Sequence, residues 1–325
     1  MTRDPEAGRR NAHAGLATWG DRLVPLADFR AASARSGRSL RPEERERRRA
    51  ACSAPRLDST PREGPYSRIA VCGGVYSNHL ALAAFLEEAA RREVDAIYCL
   101  GDLGGFGPAP DKVWPLLRAY GVRAVAGNYE ESLAAGREDC ACGYTDRRDN
   151  HFAALSYAYT ARRTAPTFKR WMAGLPARRR VRLGRREALL VHGSPRQTNE
   201  FLFRSTTPDA FLERLLATEG CDLLFCTHTG LHWQRTLPSG RQVINVGALG
   251  RPANDGATHV WAVFAEVEEV LTRIEMTPIA YDHQALAAEM RREGLPEEFI
   301  DTILTGWWTT CLEILPAKER AAGRF

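Results

Sequence analysis

Four polar side chains in the sequence follow directly after apolar, strand-like runs. Asp102, Asn128, His192 and His228 each lie one to three residues beyond such a run. Because the carboxyl ends of parallel strands meet at one edge of a sheet, the four would lie close together if their strands share a sheet. One carboxylate, one amide oxygen and two imidazoles form a mixed set that suits Zn, Mn or Fe. A single histidine in such a place is usually structural, but four equivalent positions predict a shared metal or phosphate site.

The positions of these side chains require strands that alternate with helices, and the sequence contains that pattern. Short apolar runs are separated by segments whose apolar residues recur every three or four positions, as in amphipathic helices. This alternation is typical of βαβ units in a parallel sheet. The predicted strands are 68–72, 95–100, 122–126, 179–183, 187–191 and 221–226, and a β-rich segment covers 233–276.

The net charge of the chain belongs to its N-terminal segment. The 325 residues carry a formal charge of +5, and residues 1–67 account for all of it with 14 arginines and 9 acidic residues. This segment has little apolar surface to bury, so it is predicted to be a disordered Arg-rich extension, with a nucleic-acid or partner arm as the alternative. The remaining residues are balanced in charge, which makes nucleic acid an unlikely partner for the folded domain.

Cysteine usage and hydropathy indicate a reducing compartment. The spacing of the eight cysteines does not resemble a secreted disulfide framework, and there is no signal peptide with an apolar core. No apolar run reaches the roughly 18 residues that a membrane span needs. We therefore expect a cytoplasmic protein with no membrane partner. Cys140 and Cys142 lie in a polar loop that is predicted to cover the site, with metal or redox use as an alternative.

The order and spacing of the candidate ligands resemble the calcineurin-like metallophosphoesterases, in particular their smaller bacterial phosphodiesterase and phosphatase branch. The resemblance covers about residues 68–276, and it includes residues 243–252, which look like the family's Asn-Pro-Gly-Ser-x-Gly segment. It implies an α/β fold, a four-layer α/β/β/α sandwich with the metal site at its strand ends. The pairs that match are Gly101-Asp102, Gly127-Asn128, His192-Gly193 and Thr227-His228.

The same reading divides the chain into three parts. Residues 1–67 form the extension, and residues 68–280 form the metallophosphoesterase-like domain. Residues 281–325 form a C-terminal helical tail, with amphipathic helices at 283–292 and 296–315. Trp307 and Trp308 are expected to pack this tail onto the domain.

The departures from the family pattern fall on one of its two metal sites. Gly74, Tyr76 and Gly230 align with the three family residues that hold that metal, so all three ligands are replaced here. His79 and His232 lie nearby without the family's spacing and are weak candidates to replace them. The ligands of the other metal are present, so the resemblance implies one divalent metal ion (Mn, Fe or Zn) held by Asp102, Asn128, His192 and His228.

Five further residues are candidates for catalysis and substrate binding. Tyr129 aligns with the catalytic histidine of the family, and Glu130 follows it. Tyr76 and Tyr129 could donate hydrogen bonds to a phosphate or protonate a leaving group. Arg251 and Arg196 are candidate phosphate forks, with surface ion pairs as the ordinary alternative.

Three functions are compatible with this pattern. The leading one is a metal-dependent phosphoesterase, a phosphatase or phosphodiesterase that hydrolyses a small phosphorylated or nucleotide-type substrate with a single metal. The loss of three ligands and of the catalytic histidine favours instead a catalytically inactive relative that binds a phospho-ligand or a partner. A third is a one-metal enzyme with non-hydrolytic chemistry. Four retained ligands favour an enzyme, because an inactive site has no chemical need for them.

Overall fold

A computed structural model describes residues 16–19, 22–25, 60–268 and 271–323. The chain divides into two compact units, Met1–Leu57 and Asp58–Phe325. In the first unit, β1 (Leu16–Trp19) pairs antiparallel with β2 (Arg22–Pro25). The rest of the extension up to residue 59, and with it the prediction of disorder there, lies outside the described residues.

The second unit contains two β-sheets whose strands alternate with helices along the chain. The strands are β3 (Arg62–Tyr66), β4 (Arg68–Cys72), β5 (Ala96–Cys99), β6 (Arg123–Ala124), β7 (Arg178–Leu183), β8 (Arg186–Val191), β9 (Leu223–Cys226), β10 (His232–Thr236), β11 (Gln242–Val246), β12 (Val260–Glu268) and β13 (Leu271–Ile279). The helices are α1 (His79–Arg91), α2 (Pro110–Ala119), α3 (Asn128–Ala135), α4 (Arg147–Arg163), α5 (Pro166–Met172), α6 (Asp209–Glu219), α7 (His283–Arg292), α8 (Glu297–Thr305) and α9 (Ala317–Ala322).

Each sheet contains a block of three parallel strands. The five-stranded sheet has the order β13-β12-β4-β5-β6, with β4, β5 and β6 parallel. The six-stranded sheet has the order β10-β11-β9-β8-β7-β3, with β8, β9 and β11 parallel. The carboxyl ends of these parallel strands therefore form one rim on each sheet.

Three apolar clusters make this a four-layer molecule. One cluster lies between the sheets and joins side chains of both, such as Val71 and Tyr98 from one and Leu190 and Phe225 from the other. A second packs α1, α2 and α5 against the outer face of the five-stranded sheet. A third packs α6 against the six-stranded sheet. This confirms the predicted α/β/β/α sandwich.

The N-terminal boundary of the folded domain differs from the prediction. Residues 62–66 were assigned to the extension, but they form β3, the edge strand that pairs with β7. The carboxylate of Glu63 accepts hydrogen bonds from the Tyr98 hydroxyl at 2.9 Å, from Arg123 at 2.8 Å and from Arg179 at 2.6 Å. Charged contacts of this kind leave no apolar pattern in the sequence, so the boundary at residue 67 is corrected to a position before residue 62.

The C-terminal tail packs on the domain, but its second helix is shorter than predicted. Helix α8 ends at Thr305, because Gly306 takes a left-handed conformation with φ of +73° and closes the helix. The segment after it is irregular, and Trp308 is buried there with 3% exposure. No described helix is long and apolar enough to cross a membrane.

Asp149 in α4 is fully buried and connects the tail to the domain. One oxygen accepts a hydrogen bond from the Ile314 amide at 3.1 Å. Burial, together with the shared hydrogen bond and charge of Glu313, raises the pKa of Asp149 to about 7. Because the folded pKa is raised, the native state binds the proton more tightly than the unfolded chain. Stability is therefore greatest below about pH 4 for this group and is lost as the pH rises through 7.

We expect Asp149→Asn to flatten this pH dependence, because the amide stays neutral and still faces Glu313. In chemical denaturation, the free energy of unfolding should fall between pH 5 and pH 8 in both proteins. The fall should be at least about 1 kcal/mol larger in the wild type than in Asp149→Asn. Asp301→Asn, at an exposed position of α8, is the matched control and should keep the wild-type slope. An equal dependence of stability on pH in the wild type and in Asp149→Asn would contradict the raised pKa of Asp149.

Candidate metal centre

The predicted ligands follow strands of both sheets. Asp102 and Asn128 come after β5 and β6 of the five-stranded sheet, whereas His192 and His228 come after β8 and β9 of the six-stranded sheet. The premise that their strands share one sheet is therefore wrong. The site lies where the two rims face each other, as the family resemblance implies.

The loop after β11 closes the gap between the two rims. The amides of Leu249 and Gly250 donate hydrogen bonds to the carbonyls of Gly73 and Gly74 at 2.7 and 2.8 Å. This loop starts in the six-stranded sheet and binds the loop that follows β4 in the other sheet. It leads directly into Arg251.

Two of the ligands are held in strained backbone conformations. The φ angles of Asp102 and His228 are +56° and +68°, in the left-handed region that side chains other than glycine rarely adopt. Each such conformation costs roughly 1–3 kcal/mol and persists only where the surrounding structure enforces it. The surrounding structure thus fixes the direction of both side chains, and the strained backbone lowers the stability of the folded protein at these two positions.

Three of the predicted ligands converge on one point. A carboxylate oxygen of Asp102 and one ring nitrogen each of His192 and His228 lie within 4.8 Å of one another. Nε2 of His192 is 3.3 Å from Oδ2 of Asp102 and 3.0 Å from Nδ1 of His228. All three side chains are buried. Within residues 60–268 and 271–323, no other three His, Cys, Asp or Glu side chains converge in this way.

The tautomer of His192 is set by a backbone carbonyl. Nδ1 lies 2.6 Å from the carbonyl oxygen of Leu100, which can only accept, so Nδ1 carries the hydrogen and Nε2 presents its lone pair. A histidine bonded in this way is oriented for metal binding. Burial opposes a charge on His192, yet the neighbouring Asp102 carboxylate raises its pKa. Burial and the charge of His192 lower the pKa of His228 to about 3. Of the two imidazoles, His192 beside the carboxylate is thus the one that binds a proton more readily.

Asn128 is oriented by the loop that carries the two cysteines. Its Nδ2 donates to the carbonyl of Cys140 at 2.8 Å and lies 3.4 Å from Sγ of Cys142, and these two cysteines form a disulfide. Its Oδ1 is buried without a hydrogen-bond partner, and so is Nε2 of His228. Buried polar atoms are normally paired, so these orphaned acceptors and the converging triad fit a divalent metal ion.

Glu130 does not line the cavity above Asp102, and its side chain binds backbone amides instead. Its buried carboxylate accepts hydrogen bonds from the backbone amides of Asp102, Leu103 and Gly127, each at 2.8 Å. Burial and the charge of Asp102 raise its pKa to about 7, whereas the amide hydrogen bonds lower it. The prediction of Glu130 as a catalytic residue is therefore corrected, because its lone pairs are used to hold the loops after β5 and β6.

Tyr76 and Tyr129 both line the cavity over the ligands. The hydroxyl of Tyr129 lies 2.9 Å from Oγ of Ser156, which itself accepts the Phe106 amide at 2.7 Å. Burial, assisted by the charge of Asp102, raises the pKa of both phenols. A raised pKa makes a phenol a poorer acid, so these groups suit hydrogen-bond donation rather than protonation of a leaving group.

Of the two arginines predicted to bind phosphate, only Arg251 lines the cavity. Arg251 is 6% exposed and lines the cavity. Arg196 has a mostly exposed side chain that lies 3.6 Å from Glu200 and 5.3 Å from the centre of the Phe211 ring. The structure does not bring Arg196 into the cavity, so its prediction as a phosphate fork is corrected to the surface ion pair.

The replacement ligands considered from the sequence do not join the cluster. Nε2 of His79 lies 3.6 Å from Glu289, and the ring of His232 stacks on Trp261 with centres 4.0 Å apart. Neither side chain lines the cavity over Asp102.

A cavity of about 50 Å³ lies over the ligands, which leaves room for only a few water-sized groups. Much of its wall is aromatic and comes from segments far from the motifs, including the tail. Sequence reasoning missed these side chains, because a core aromatic residue and a cavity-lining one leave the same pattern. They are Phe106, Tyr144, Phe152, Ser156, Phe299, Thr310 and Cys311.

With this geometry established, comparisons with known proteins define the class. Residues 68–269 match the calcineurin-like phosphoesterase superfamily domain, so the chain belongs to that superfamily. Its members are metal-dependent phosphoesterase hydrolases.

The individual relatives are distant. The chain is 23% identical over 256 residues to an uncharacterized protein of Methanocaldococcus jannaschii, an alignment that covers 74% of this chain and 98% of that protein. A solved structure of a metallophosphoesterase from Sphaerobacter thermophilus is 24% identical with a TM-score of 0.57 and covers 74% of this chain and 99% of that one. A hypothetical protein from Pyrococcus horikoshii is 20% identical with a TM-score of 0.62, with 74% and 99% covered. These structures show the shared fold.

Proposed function

We propose that this protein is a phosphoesterase that hydrolyses a small phosphorylated or nucleotide-type substrate with a single divalent metal ion, Mn, Fe or Zn. One observation carries the proposal: Asp102, Asn128 and His228 line the same cavity as the guanidinium of Arg251. Asp102, Asn128, His192 and His228 would hold the metal. The metal would supply Lewis acidity to a phosphoryl group.

The residues of the chain would bind and orient the phosphoryl group. The Arg251 guanidinium would donate to its oxygens, and the protonated phenols of Tyr76 and Tyr129 would add neutral donors. The aromatic walls would exclude water around these contacts, which strengthens each of them. The small cavity fits a phosphoryl group better than a bulky substituent, so the remainder of the substrate would face the opening.

A reducing, cytoplasmic location belongs to the same proposal. Free, buried thiols at Cys72, Cys99, Cys221, Cys226 and Cys311 support it. The disulfide Cys140–Cys142, in the loop that orients Asn128, argues against it, because disulfides are rare in reducing compartments.

Hydrolysis of simple aryl phosphates tests the proposal. We expect the protein loaded with Mn, Fe or Zn to release nitrophenol from 4-nitrophenyl phosphate or from bis(4-nitrophenyl) phosphate, and Asp102→Asn to lose at least nine-tenths of that rate. Asp111→Asn, an exposed acid at the start of α2, is the control and should keep it. Tight binding of phosphate without turnover of either ester by any metal-loaded form would favour the inactive, phospho-ligand-binding relative.

A further inference from the structure

The guanidinium of Arg251 is a buried cation without a partner of opposite charge. Its Nε has no hydrogen-bond partner, and within the described residues after 60 the side chain makes no ion pair. A buried charge costs several kcal/mol unless it is paired or binds a ligand. Because Arg251 lines the same cavity as Asp102 and His228, an anion bound in that cavity would be its partner.

Aromatic rings hold the plane of this guanidinium. Its central carbon lies 3.6 Å from the centre of the Trp308 ring, 5.6 Å from that of Phe106 and 5.9 Å from that of Tyr76. A ring stacked on the plane stabilises the cation, while the N–H donors point outward within the plane. The stacking therefore fixes the orientation of Arg251 without using its donors.

Trp308 is itself fixed to the segment that follows Arg251. Its Nε1 donates to the carbonyl of Pro252 at 2.6 Å, and its backbone amide donates to Oδ1 of Asn254 at 2.8 Å. The tryptophan belongs to the tail, beyond the residues that match the family domain. The tail thus contacts Arg251 through an anchored ring, in addition to the tail side chains that line the cavity.

The space beside these side chains leaves no room for additional metal ligands. A Cβ atom added to Gly230 would lie 2.8 Å from the Trp308 ring and 3.0 Å from a guanidinium nitrogen of Arg251. A Cβ added to Gly74 would lie 2.9 Å from the Tyr76 ring. These glycines stand at two of the three positions where the family resemblance marks a lost metal ligand. The rings and the guanidinium therefore occupy the space at the vacated positions.

We propose that the Arg251 guanidinium, positioned by Trp308, takes the place of a second metal ion and binds a non-bridging oxygen of the phosphoryl group. The inference rests on the proposed function and extends it: one metal and one fixed guanidinium would flank the same anion. Arg251 touches the substrate, whereas Trp308 acts through Arg251 as a positioning residue. A terminal phosphate or inorganic phosphate is the anion that fits both the charge and the small volume.

Binding of inorganic phosphate to the Mn-loaded protein tests this without any turnover. By isothermal titration calorimetry we expect Arg251→Met to weaken phosphate binding about 10- to 100-fold, because charge-assisted hydrogen bonds are lost. Trp308→Leu should weaken it about tenfold, and Trp308→Phe, which keeps an aromatic face, should stay within about threefold of the wild type. Trp307→Leu, in the neighbouring half-buried tryptophan, is the matched control and should bind as the wild type does.

Metal analysis and kinetics complete the test. The wild type and all four variants should bind one Mn per chain, and Trp308→Leu should raise KM for an aryl phosphate together with the phosphate Kd. The inference is overturned if Arg251→Met binds phosphate like the wild type, if Trp308→Phe is as weak as Trp308→Leu, or if the wild type binds two metals. Should Trp308→Leu fail to fold, Trp308→Met takes its place in the comparison with Trp308→Phe, and Arg251→Met decides the role of the guanidinium by itself.

Failure of this inference is distinguishable from failure of the proposed function. Hydrolysis by the wild type with unchanged phosphate affinity in Arg251→Met would keep the function and overturn the role of the arginine. Arg251-dependent phosphate binding without any hydrolysis would overturn the function and keep the anion site.

Discussion

Replacing His192 by alanine is expected to remove the bound metal and, with it, nearly all hydrolysis. The side chain supplies one of the three converging donors and lies against both other members of the triad. Loss of an outer partner of a metal ligand alone costs about 10- to 100-fold in affinity or activity, so loss of the ligand itself should exceed about 100-fold. Metal analysis after dialysis should fall from about one ion per chain to less than about a tenth, measured beside the phosphatase rate.

The control for this variant is His151→Ala, an exposed histidine in α4. It should retain metal and activity. His192→Ala also deprives the buried Leu100 carbonyl of its donor, which should cost about 1–3 kcal/mol of stability. Near-ultraviolet circular dichroism will show whether the variant stays folded. A folded His192→Ala protein that binds metal as tightly as the wild type would refute the proposed ligand set.

Replacing Glu130 by alanine is expected to destabilise the protein by about 3 kcal/mol or more, because three buried amides lose their acceptor. The three amides belong to the loops that carry Asp102 and Asn128. The same variant should therefore also weaken metal binding by about 10- to 100-fold. Urea denaturation of the metal-free protein and a metal titration measure the two effects separately.

Two further variants show whether the effect comes from the lost acceptors. Glu130→Gln keeps the size of the side chain but turns one acceptor into a donor, so we expect roughly half of the destabilisation. Glu131→Gln is the neighbouring control, since its carboxylate accepts only from the Thr198 hydroxyl at 2.7 Å among the described contacts, and it should cost less than about 1 kcal/mol. If Glu130→Ala abolished turnover without loss of stability or metal, Glu130 would be catalytic after all.

The contrast between Asp102 and Glu130 shows which kind of site residue the sequence can reveal. Asp102 follows an apolar run directly, and this position predicts a place at the rim of a sheet. Glu130 lies two residues after the predicted ligand Asn128, yet its side chain turns inward and accepts hydrogen bonds from three backbone amides. Nothing in the spacing separates these cases, because the direction of a side chain after a strand depends on local φ and on neighbouring loops.

The arginines show the same limit at longer range. Arg196 and Arg251 both follow strand ends of the six-stranded sheet, and the sequence treats them alike. Arg251 lines the cavity, and the ring of Trp308, 57 positions further along the chain, lies 3.6 Å from its guanidinium. Arg196 lies instead on the surface, between Glu200 and the ring of Phe211. A contact between distant segments leaves no local signal in the sequence.

Hydrophobic periodicity was enough to predict the alternation of strands and helices, and the polar residues after the strand ends were enough to mark Asp102, Asn128, His192 and His228 as one candidate site. The four layers and the single metal came from the resemblance to the metallophosphoesterases. The alternation follows from local rules, whereas the division of the strands between two sheets does not. Only the tertiary structure decided the direction of individual side chains: Glu130 binds the amides of the loops after β5 and β6, and Trp308 of the tail lies on the guanidinium of Arg251. The physical reason is that these contacts join segments whose distance in the chain is unrelated to their distance in space, and their energy comes from burial and charge pairing that exist only after folding.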